Sequence, residues 1–169
     1  MQKLQTITSA IPDKRAGAAV AKALKGVYDR LSSQLLSTSG LAIKAGGGVL
    51  VKAGTLCKFI AGGILCTIAA NTDAAALAGT VTNAKFNIFC FFVGSDGTIV
   101  SAMGTEGTAL TDVKFPPIPE KKAILGFVII NPTGTGNFVG NTTALDDGTV
   151  VPNAVYVNTV GPFNPTATI

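Results

Sequence analysis

Two segments of this sequence are apolar on both sides of an extended chain, and this feature restricts the possible folds more than any other. An antiparallel strand with one face in water alternates apolar and polar residues, whereas residues 86–93 and 123–130 are apolar at almost every position. Both faces of these two strands are therefore expected to be covered. We expect the N-terminal helix described below to cover one strip of the second face and a neighbouring subunit to cover the rest.

Strict alternation assigns the side chains of these strands to faces. In the first segment, one face would hold Phe86, Ile88, Cys90 and Phe92, and the other Phe89, Phe91 and Val93. In the second segment, one face would hold Leu125, Phe127 and Ile129, and the other Ile124, Val128 and Ile130. Burying one phenylalanine contributes roughly 1.5–3 kcal/mol, so exposing several would be costly. The sequence therefore predicts a stable homo-oligomer.

Shorter strand patterns surround these two segments. Residues 49–59, 64–69 and 98–102 read as strands, and weaker patterns follow near 137–140 and 154–157. Glycine and proline punctuate the patterns, and an Asp-Gly turn precedes the strand at 98–102. This many short strands predicts a mainly β fold: an antiparallel β-sandwich, jelly-roll-like, with one N-terminal α-helix.

The helix is predicted over residues 12–38. Pro12 suits its first turn, Asp13 favours the positive end of the helix dipole, and Gly40 is a plausible stop. Apolar residues recur every three or four positions: Ala16, Val20, Leu24, Val27, Leu31 and Leu35. Two interpretations of this stripe stay open. It packs on the protein's own sheet, or it is a self-association surface, since the spacing is near-heptad for about three turns.

Charge divides the chain into a basic arm and a weakly acidic body. The first 58 residues contain nine Lys and Arg against two Asp, a net charge of +7, and the remainder carries −3, which makes +4 for the whole chain. The glycine run at 46–48 predicts a flexible joint, so we divide the chain into an arm, 1–45, and a β-sandwich body, 46–169. The arm is expected to face an acidic partner. No aromatic residue lies between the basic residues before Tyr28, which disfavours nucleic acid.

Composition also indicates a surface that is hidden in an assembly. Charged residues make up 13% of the chain, against about 25% in ordinary soluble domains. The longest apolar stretch, 59–70, is too short to span a bilayer, so no membrane partner is expected. Residues 1–10 have no apolar segment of the signal-peptide type, and the three cysteines read as reduced core thiols. Synthesis in a reducing cytoplasm is the corresponding expectation.

The sequence offers little material for catalysis. It contains no histidine, which removes the commonest general base, the nucleophile–histidine pairs and most zinc sites. The adjacent Asp146 and Asp147 precede Gly148 and read as a turn, and Glu106 lies in a glycine-rich loop. We therefore expect no enzyme activity, no catalytic residue, no metal and no cofactor.

Two stretches of the sequence resemble a known class of proteins in their overall residue usage. These are FNIFCFFVGSDGTIVSAMGTEG and KKAILGFVIINPTGTGNFVGNTTALDDGTVVPNAV. The chain resembles small virion structural proteins of tailed bacteriophages over residues 83–169. The resemblance implies a capsid decoration, or cement, protein: a homotrimer on the capsid surface that clamps neighbouring copies of the major capsid protein, made in the bacterial host cytoplasm. The alternative is a head-fibre, tail or baseplate component with a receptor- or carbohydrate-binding role.

Ten residues are predicted to contact a second copy of the chain or the capsid. Eight come from the predicted helix and two from the first strand that is apolar on both faces. They are Lys14, Arg15, Val20, Lys22, Leu24, Val27, Leu31, Leu35, Phe89 and Phe91. The carbohydrate-binding alternative instead requires exposed aromatic residues at loop ends, for which Tyr28 and Tyr156 are the only tyrosines and no tryptophan exists.

Overall fold

The fold is that of a computed structural model, which describes residues 14–163. It is mainly β, with several antiparallel sheets and a single N-terminal helix within that range, as the sequence predicted. The helix is α1 (Lys14–Leu31), and a 3-10 turn spans Leu110–Asp112. The strands are β1 (Gln34–Leu35), β2 (Leu41–Ile43), β3 (Val51–Ala53), β4 (Cys57–Ala61), β5 (Ile64–Ile68), β6 (Thr72–Asp73), β7 (Thr80–Val81), β8 (Asn87–Val93), β9 (Ile99–Met103), β10 (Ala123–Ile130), β11 (Phe138–Val139) and β12 (Val155–Asn158).

The strands form four small sheets. The central sheet has the order β12-β10-β8-β9 and contains both of the strands that are apolar on two faces. Two three-stranded sheets have the orders β1-β4-β5 and β2-β3-β6, and β11 pairs with β7. Every pairing between these strands is antiparallel.

The main core lies on one face of the central sheet. The β8 side chains of Phe89, Phe91 and Val93 are buried there against residues from the smaller sheets, including Phe59. The rings of Phe89 and Phe138 meet edge to face, with centroids 5.8 Å apart, a favourable aromatic arrangement. The smaller sheets thus supply the cover for this face.

A second core covers the opposite face of the central sheet. Cys90, Phe92 and Ile124 point into it together with Ile88 and Phe127. Its outer layer comes from the same chain: Val113, Phe115, Ile118 and Phe163 pack over the strands. The expectation that the helix and a neighbouring subunit cover this face was wrong, because the segment between β9 and β10 folds back over it.

A β-bulge in β10 changes which side chains face which core. Ile124 pairs with Phe92 and Gly126 with Phe91, so Leu125 is an extra residue without a partner on β8. Strict alternation placed Leu125 with Phe127, but Leu125 lies in the main core and Phe127 in the second core. An extra residue reverses the alternation from that point on.

The helix ends at Leu31, seven residues before the predicted end at residue 38. Ser32 and Ser33 close the last turn by donating backbone hydrogen bonds to the carbonyls of Tyr28 (2.8 Å) and Arg30 (3.3 Å). The chain then extends into β1, which pairs with β4. Leu35 belongs to this strand and is 1% exposed in the main core, so burial overrides its place in the helical pattern. The predicted residues 12 and 13 lie outside the described part of the chain.

The glycine run at 46–48 is not a joint between an arm and a body. It forms the turn of a hairpin between β2 and β3, where Lys44 donates its backbone N–H to the carbonyl of Leu50 at 2.9 Å. The carboxylate of Asp146 accepts a hydrogen bond from the N–H of Gly48 at 3.1 Å. Since β1 and β2 pair with strands of the body, residues 34–45 belong to the body and the boundary predicted at residue 46 moves to the end of α1.

Candidate interaction surface

The apolar stripe of α1 faces away from the β body. Val20, Leu24, Val27 and Leu31 are all exposed, and Val27 and Leu31 keep 55% and 52% of their surface accessible. At 100° per residue these four side chains fall within about 60° of one another on the helix. We call these four residues the helical stripe.

The opposite side of the helix faces the body. The Lys25 Nζ lies 2.7 Å from a carboxylate oxygen of Asp29 and 3.3 Å from one of Glu120, which precedes β10. A cavity of about 190 Å³ separates this side of the helix from the chain around Ile118 and Phe163. Lys25 and Asp29 lie roughly 130–170° around the helix from the stripe. The interpretation that the stripe packs on the protein's own sheet was therefore wrong for the four residues of the helical stripe, whereas Leu35 is buried in the body.

The basic residues of α1 lie away from the helical stripe: Arg30 falls about 90° from its centre, and Lys22 and Lys25 fall about 130–170° from it. The sequence of α1 has five basic residues and a single acidic one, Asp29. Hydrogen bonds to Asp29 and Glu120 raise the pKa of Lys25, which keeps this lysine charged. A shallow groove beside Val27 is lined by Ala19, Lys22, Ala23, Gly26 and Arg30. The helix thus presents an exposed apolar strip on one side and positive charge on its other sides. An apolar partner surface bordered by acidic groups would complement it.

The structure separates the ten predicted contact residues into two groups. Those from α1 lie on one exposed helix: Lys14, Arg15, Val20, Lys22, Leu24, Val27 and Leu31. Leu35, Phe89 and Phe91 are 1%, 0% and 0% exposed in the main core, so they cannot contact a partner in this fold. The prediction failed for Phe89 and Phe91 because the smaller sheets of the same chain cover their face of β8. It failed for Leu35 because the helix ends at Leu31 and Leu35 pairs with β4 as part of β1.

One exposed apolar surface was missed from the sequence. The outer face of the β1-β4-β5 sheet carries Leu36 and Leu65, and Leu56 precedes β4 on the same side; all three are about half exposed or more. Leu65 pairs across the sheet with Ile60. The apolar pattern of 64–69 predicted a strand, but its position at a sheet edge depends on long-range pairing that no local pattern contains.

The acidic residues considered for chemistry serve the backbone instead. Asp147 accepts hydrogen bonds from the hydroxyl and N–H of Thr149, at 2.5 and 2.9 Å, and these bonds lower the pKa of its carboxyl group. Glu106 accepts from the N–H of Thr82 at 2.7 Å and from its hydroxyl at 3.1 Å. Both carboxylates therefore stabilise loops. Between residues 14 and 163, no three His, Cys, Asp or Glu side chains come together as a metal site would require.

The cysteines are all free thiols. Cys57 and Cys90 are buried and Cys66 is half-buried. Burial raises the pKa of Cys90 to about 12, and burial also raises that of Cys57. A thiol with such a pKa is protonated and inert at neutral pH, so these two cysteines act as small apolar core residues.

The tyrosines offer no pair of aromatic rings at loop ends. Tyr28 is exposed on α1, and Tyr156 lies in β12, packed against the main core. The Tyr156 hydroxyl is buried with no hydrogen-bond partner among the described residues. This arrangement gives no support to the carbohydrate-binding alternative.

Comparison with protein-family models, curated proteins and solved structures finds no match for this chain. In the part of the chain that the structure describes, no helix has the length and apolar character needed to cross a membrane. The candidate site therefore rests on the geometry of α1 and of the exposed sheet.

Proposed function

We propose that this protein is a structural subunit that docks through α1 onto a larger assembly. One observation carries the proposal: the helix turns its apolar stripe outward and its Lys25–Asp29 side toward its own body. A helix that stabilised only its own domain would bury the apolar side. Contiguous apolar surface that is exposed in this way is typical of surfaces that bind other proteins.

The assembly that we propose is an icosahedral phage capsid, with this chain as a decoration or cement subunit. The sequence resemblance to small virion structural proteins supports this choice. The apolar stripe suits an apolar patch on the major capsid protein, and the net positive charge of α1 favours acidic groups around that patch. In this proposal the subunit is a homotrimer on the capsid surface, and contacts repeated by symmetry add their small free energies to stabilise the shell.

The test is a cryo-EM reconstruction of the particle made by the genome that encodes this chain. Density matching the β body over the capsid surface, with α1 against the major capsid protein, is the expected result. Density confined to a vertex or a tail would refute the cement role, and absence of the chain from the particle would refute the virion assignment.

A truncation tests the role of the helix. Removal of residues 1–31 should abolish capsid attachment and leave the body folded, whereas removal of residues 1–40 would also delete the buried Leu35. Replacement of Leu24 and Val27 by glutamine should weaken attachment without truncation. Val155→Gln, which alters an exposed apolar residue of β12, is the matched control. Undiminished attachment of the truncated chain would contradict the proposed docking.

A further inference from the structure

Strand β5 forms a free edge of the β1-β4-β5 sheet. It pairs with β4 on one side only, over five residues from Ile64 to Ile68. Within residues 14–163, no other strand lies along its second side. An edge of this kind presents unpaired N–H and C=O groups that can bind a further strand.

The hairpin geometry identifies which backbone groups are free. Gly62 and Gly63 form a two-residue loop, both with positive φ (59° and 84°), which closes on a hydrogen-bonded pair, Ala61 and Ile64. Hydrogen-bonded and non-bonded pairs then alternate along the ladder. Leu65 and Thr67 fall in the non-bonded pairs, so their N–H and C=O groups point away from β4.

Bonds on the other side of β4 agree with this assignment. Lys58 is the partner of Thr67 in the register. Its carbonyl accepts a hydrogen bond from the N–H of Leu36 at 2.9 Å, and its N–H donates to the Ser37 hydroxyl at 2.8 Å. Both backbone groups of Lys58 therefore face β1, which leaves those of Thr67 without a partner in β4.

The chemistry of β5 lacks the features that protect an edge strand. Natural edges carry lysines, prolines or bulges that prevent pairing with another chain. The sequence of β5, ILCTI, has no charge and no proline, and its register with β4 runs without interruption. Leu65 and Ile64 are 67% and 57% exposed. The edge thus combines free backbone groups with exposed apolar side chains.

We propose that β5 pairs antiparallel with β5 of a second copy of this chain, about a two-fold axis at Cys66. This register sets Leu65 opposite Thr67 of the second copy and Thr67 opposite its Leu65. Each of the outward N–H and C=O groups then meets a complementary group, as an isologous contact requires. The occupant is a second copy because an uncharged strand meets its own copy without repulsion, whereas α1, with its five basic residues, would repel another α1.

In the proposed register, a disulfide bond between the two copies of Cys66 would report that the strands pair. Cys66 would face its own copy in a non-hydrogen-bonded pair, where Cα atoms lie about 4.5 Å apart. This separation is within the range of about 4.4–6.8 Å that a disulfide bond spans. Cys57 and Cys90 are 0% and 1% exposed, so they cannot form the cross-link from within the core. The contact goes beyond the proposed function, because it uses neither α1 nor the capsid. Its two-fold symmetry joins copies in pairs, so it is distinct from the contacts within the proposed trimer.

The first experiment is cross-linking of the purified full-length chain with diamide, with sedimentation velocity in reductant alongside. We expect a disulfide-linked dimer on non-reducing gels and a species containing two β5-paired copies in reductant. Cys66→Ser should lose the cross-link and keep the sedimenting species. A monomer at tens of micromolar, or an oligomer in which Cys66 does not cross-link, would overturn the proposal.

The second experiment removes one backbone N–H group of β5 that points away from β4. Thr67→Pro deletes an N–H that β4 does not use, and edge strands tolerate proline at such positions; it should weaken the association about tenfold or more. Thr67→Val keeps the N–H and should associate as the parent does. If circular dichroism shows that the proline variant is unfolded, Leu65→Lys, at an exposed position, takes its place with the same expected loss. Equal association of the parent and the disrupted variant would contradict the pairing.

The two proposals fail separately. A chain without residues 1–31 retains β5 and should still form the Cys66 cross-link while losing capsid attachment. Conversely, Leu65→Lys should lose the cross-link and retain attachment through α1. Loss of the cross-link in the truncated chain would contradict the independence of the two surfaces and place α1 in the self-contact.

Discussion

At the residue scale, Gly126 is a position in the central sheet that has no room for a side chain. Its φ is +149°, and a Cβ there would overlap the carbonyl oxygen of Val157 on the neighbouring strand β12. The bulge at Leu125 requires this close approach, because the extra residue bends β10. A glycine within an otherwise apolar strand was the available signal of a bulge.

Gly126→Ala is expected to lower the free energy of unfolding by about 2–4 kcal/mol, since the new Cβ meets backbone that cannot move aside. Urea denaturation followed by circular dichroism measures the change. Gly148→Ala is the control: it is exposed, and a Cβ there would have no heavy atom within 4 Å, so a change within about 0.5 kcal/mol is expected. Equal stability of the two variants would contradict the account of the bulge.

Two buried groups predict how stability depends on alkaline pH. Burial raises the pKa of Cys90 and that of Tyr156 to about 12 each, the latter with a smaller contribution from Asp146. Above pH 9 to 10 the unfolded chain loses these protons while the folded chain keeps them, so stability falls as pH rises toward 12. Cys90, which is buried, contributes a slope of up to about 1.4 kcal/mol per pH unit, and the half-buried Tyr156 contributes less.

Urea denaturation between pH 8 and 11 tests this dependence. Tyr156→Phe should flatten the decline, and it should not destabilise the protein at pH 8, because the hydroxyl that it removes is buried without a partner. Cys90→Ala should also flatten the decline but lower stability at pH 8 by leaving a small cavity. A decline of unchanged steepness in both variants would show that other groups control the alkaline transition.

At the element scale, α1 and β1 show that one periodic sequence pattern can span a helix and a strand. Leu31 and Leu35 have the spacing of a single helical stripe, yet the first is exposed at the end of α1 and the second is buried in β1. The local pattern does not distinguish them, because four-residue spacing is preserved. The pairing of β1 with β4 decides the difference.

Leu31→Ala and Leu35→Ala form a matched pair of variants. Leu35→Ala should cost about 2–5 kcal/mol of unfolding free energy, as truncation of a buried leucine does. Leu31→Ala should change it by no more than about 0.5 kcal/mol, although it removes part of the proposed docking surface. Thermal or urea denaturation of both variants is the measurement, and a large loss in Leu31→Ala would mean that the stripe stabilises its own body.

At the scale of the whole molecule, the second core explains how a short chain covers both faces of its central sheet. Phe115 packs edge to face on Phe127 with ring centroids 5.0 Å apart, and Phe163 lies 5.6 Å from Phe115. These rings come from the segment before β10 and from the end of the described chain. The body therefore closes its own sheet, and most of the large apolar side chains that stay exposed lie on α1 and on the β1-β4-β5 sheet.

Phe115→Ala is expected to open this second core. Loss of the half-buried ring should lower the free energy of unfolding by about 2–4 kcal/mol and increase binding of a dye that reports exposed apolar surface. Thr111→Ala, an exposed change in the same segment, should do neither. A Phe115→Ala protein as stable as the parent, with unchanged dye binding, would contradict this account of the second core.

The local sequence pattern predicted the helix and the main strands, and it predicted that both faces of the central strands are covered. It did not predict which residues cover them. Continuous apolar runs bounded by glycine and proline identified β8 and β10, and apolar residues every three or four positions identified the N-terminal helix. These signals are local, because backbone period and turn chemistry depend on neighbouring residues. The same residues indicated that both faces of β8 and β10 are buried. They did not reveal that Phe115 and Phe163 supply the second layer, that Leu125 bulges, or that β5 lies at an edge, since these depend on pairing between distant segments. The outward orientation of the helical stripe is likewise a property of the folded chain, because a helix can turn either side to its own body and only the packed neighbours choose between them.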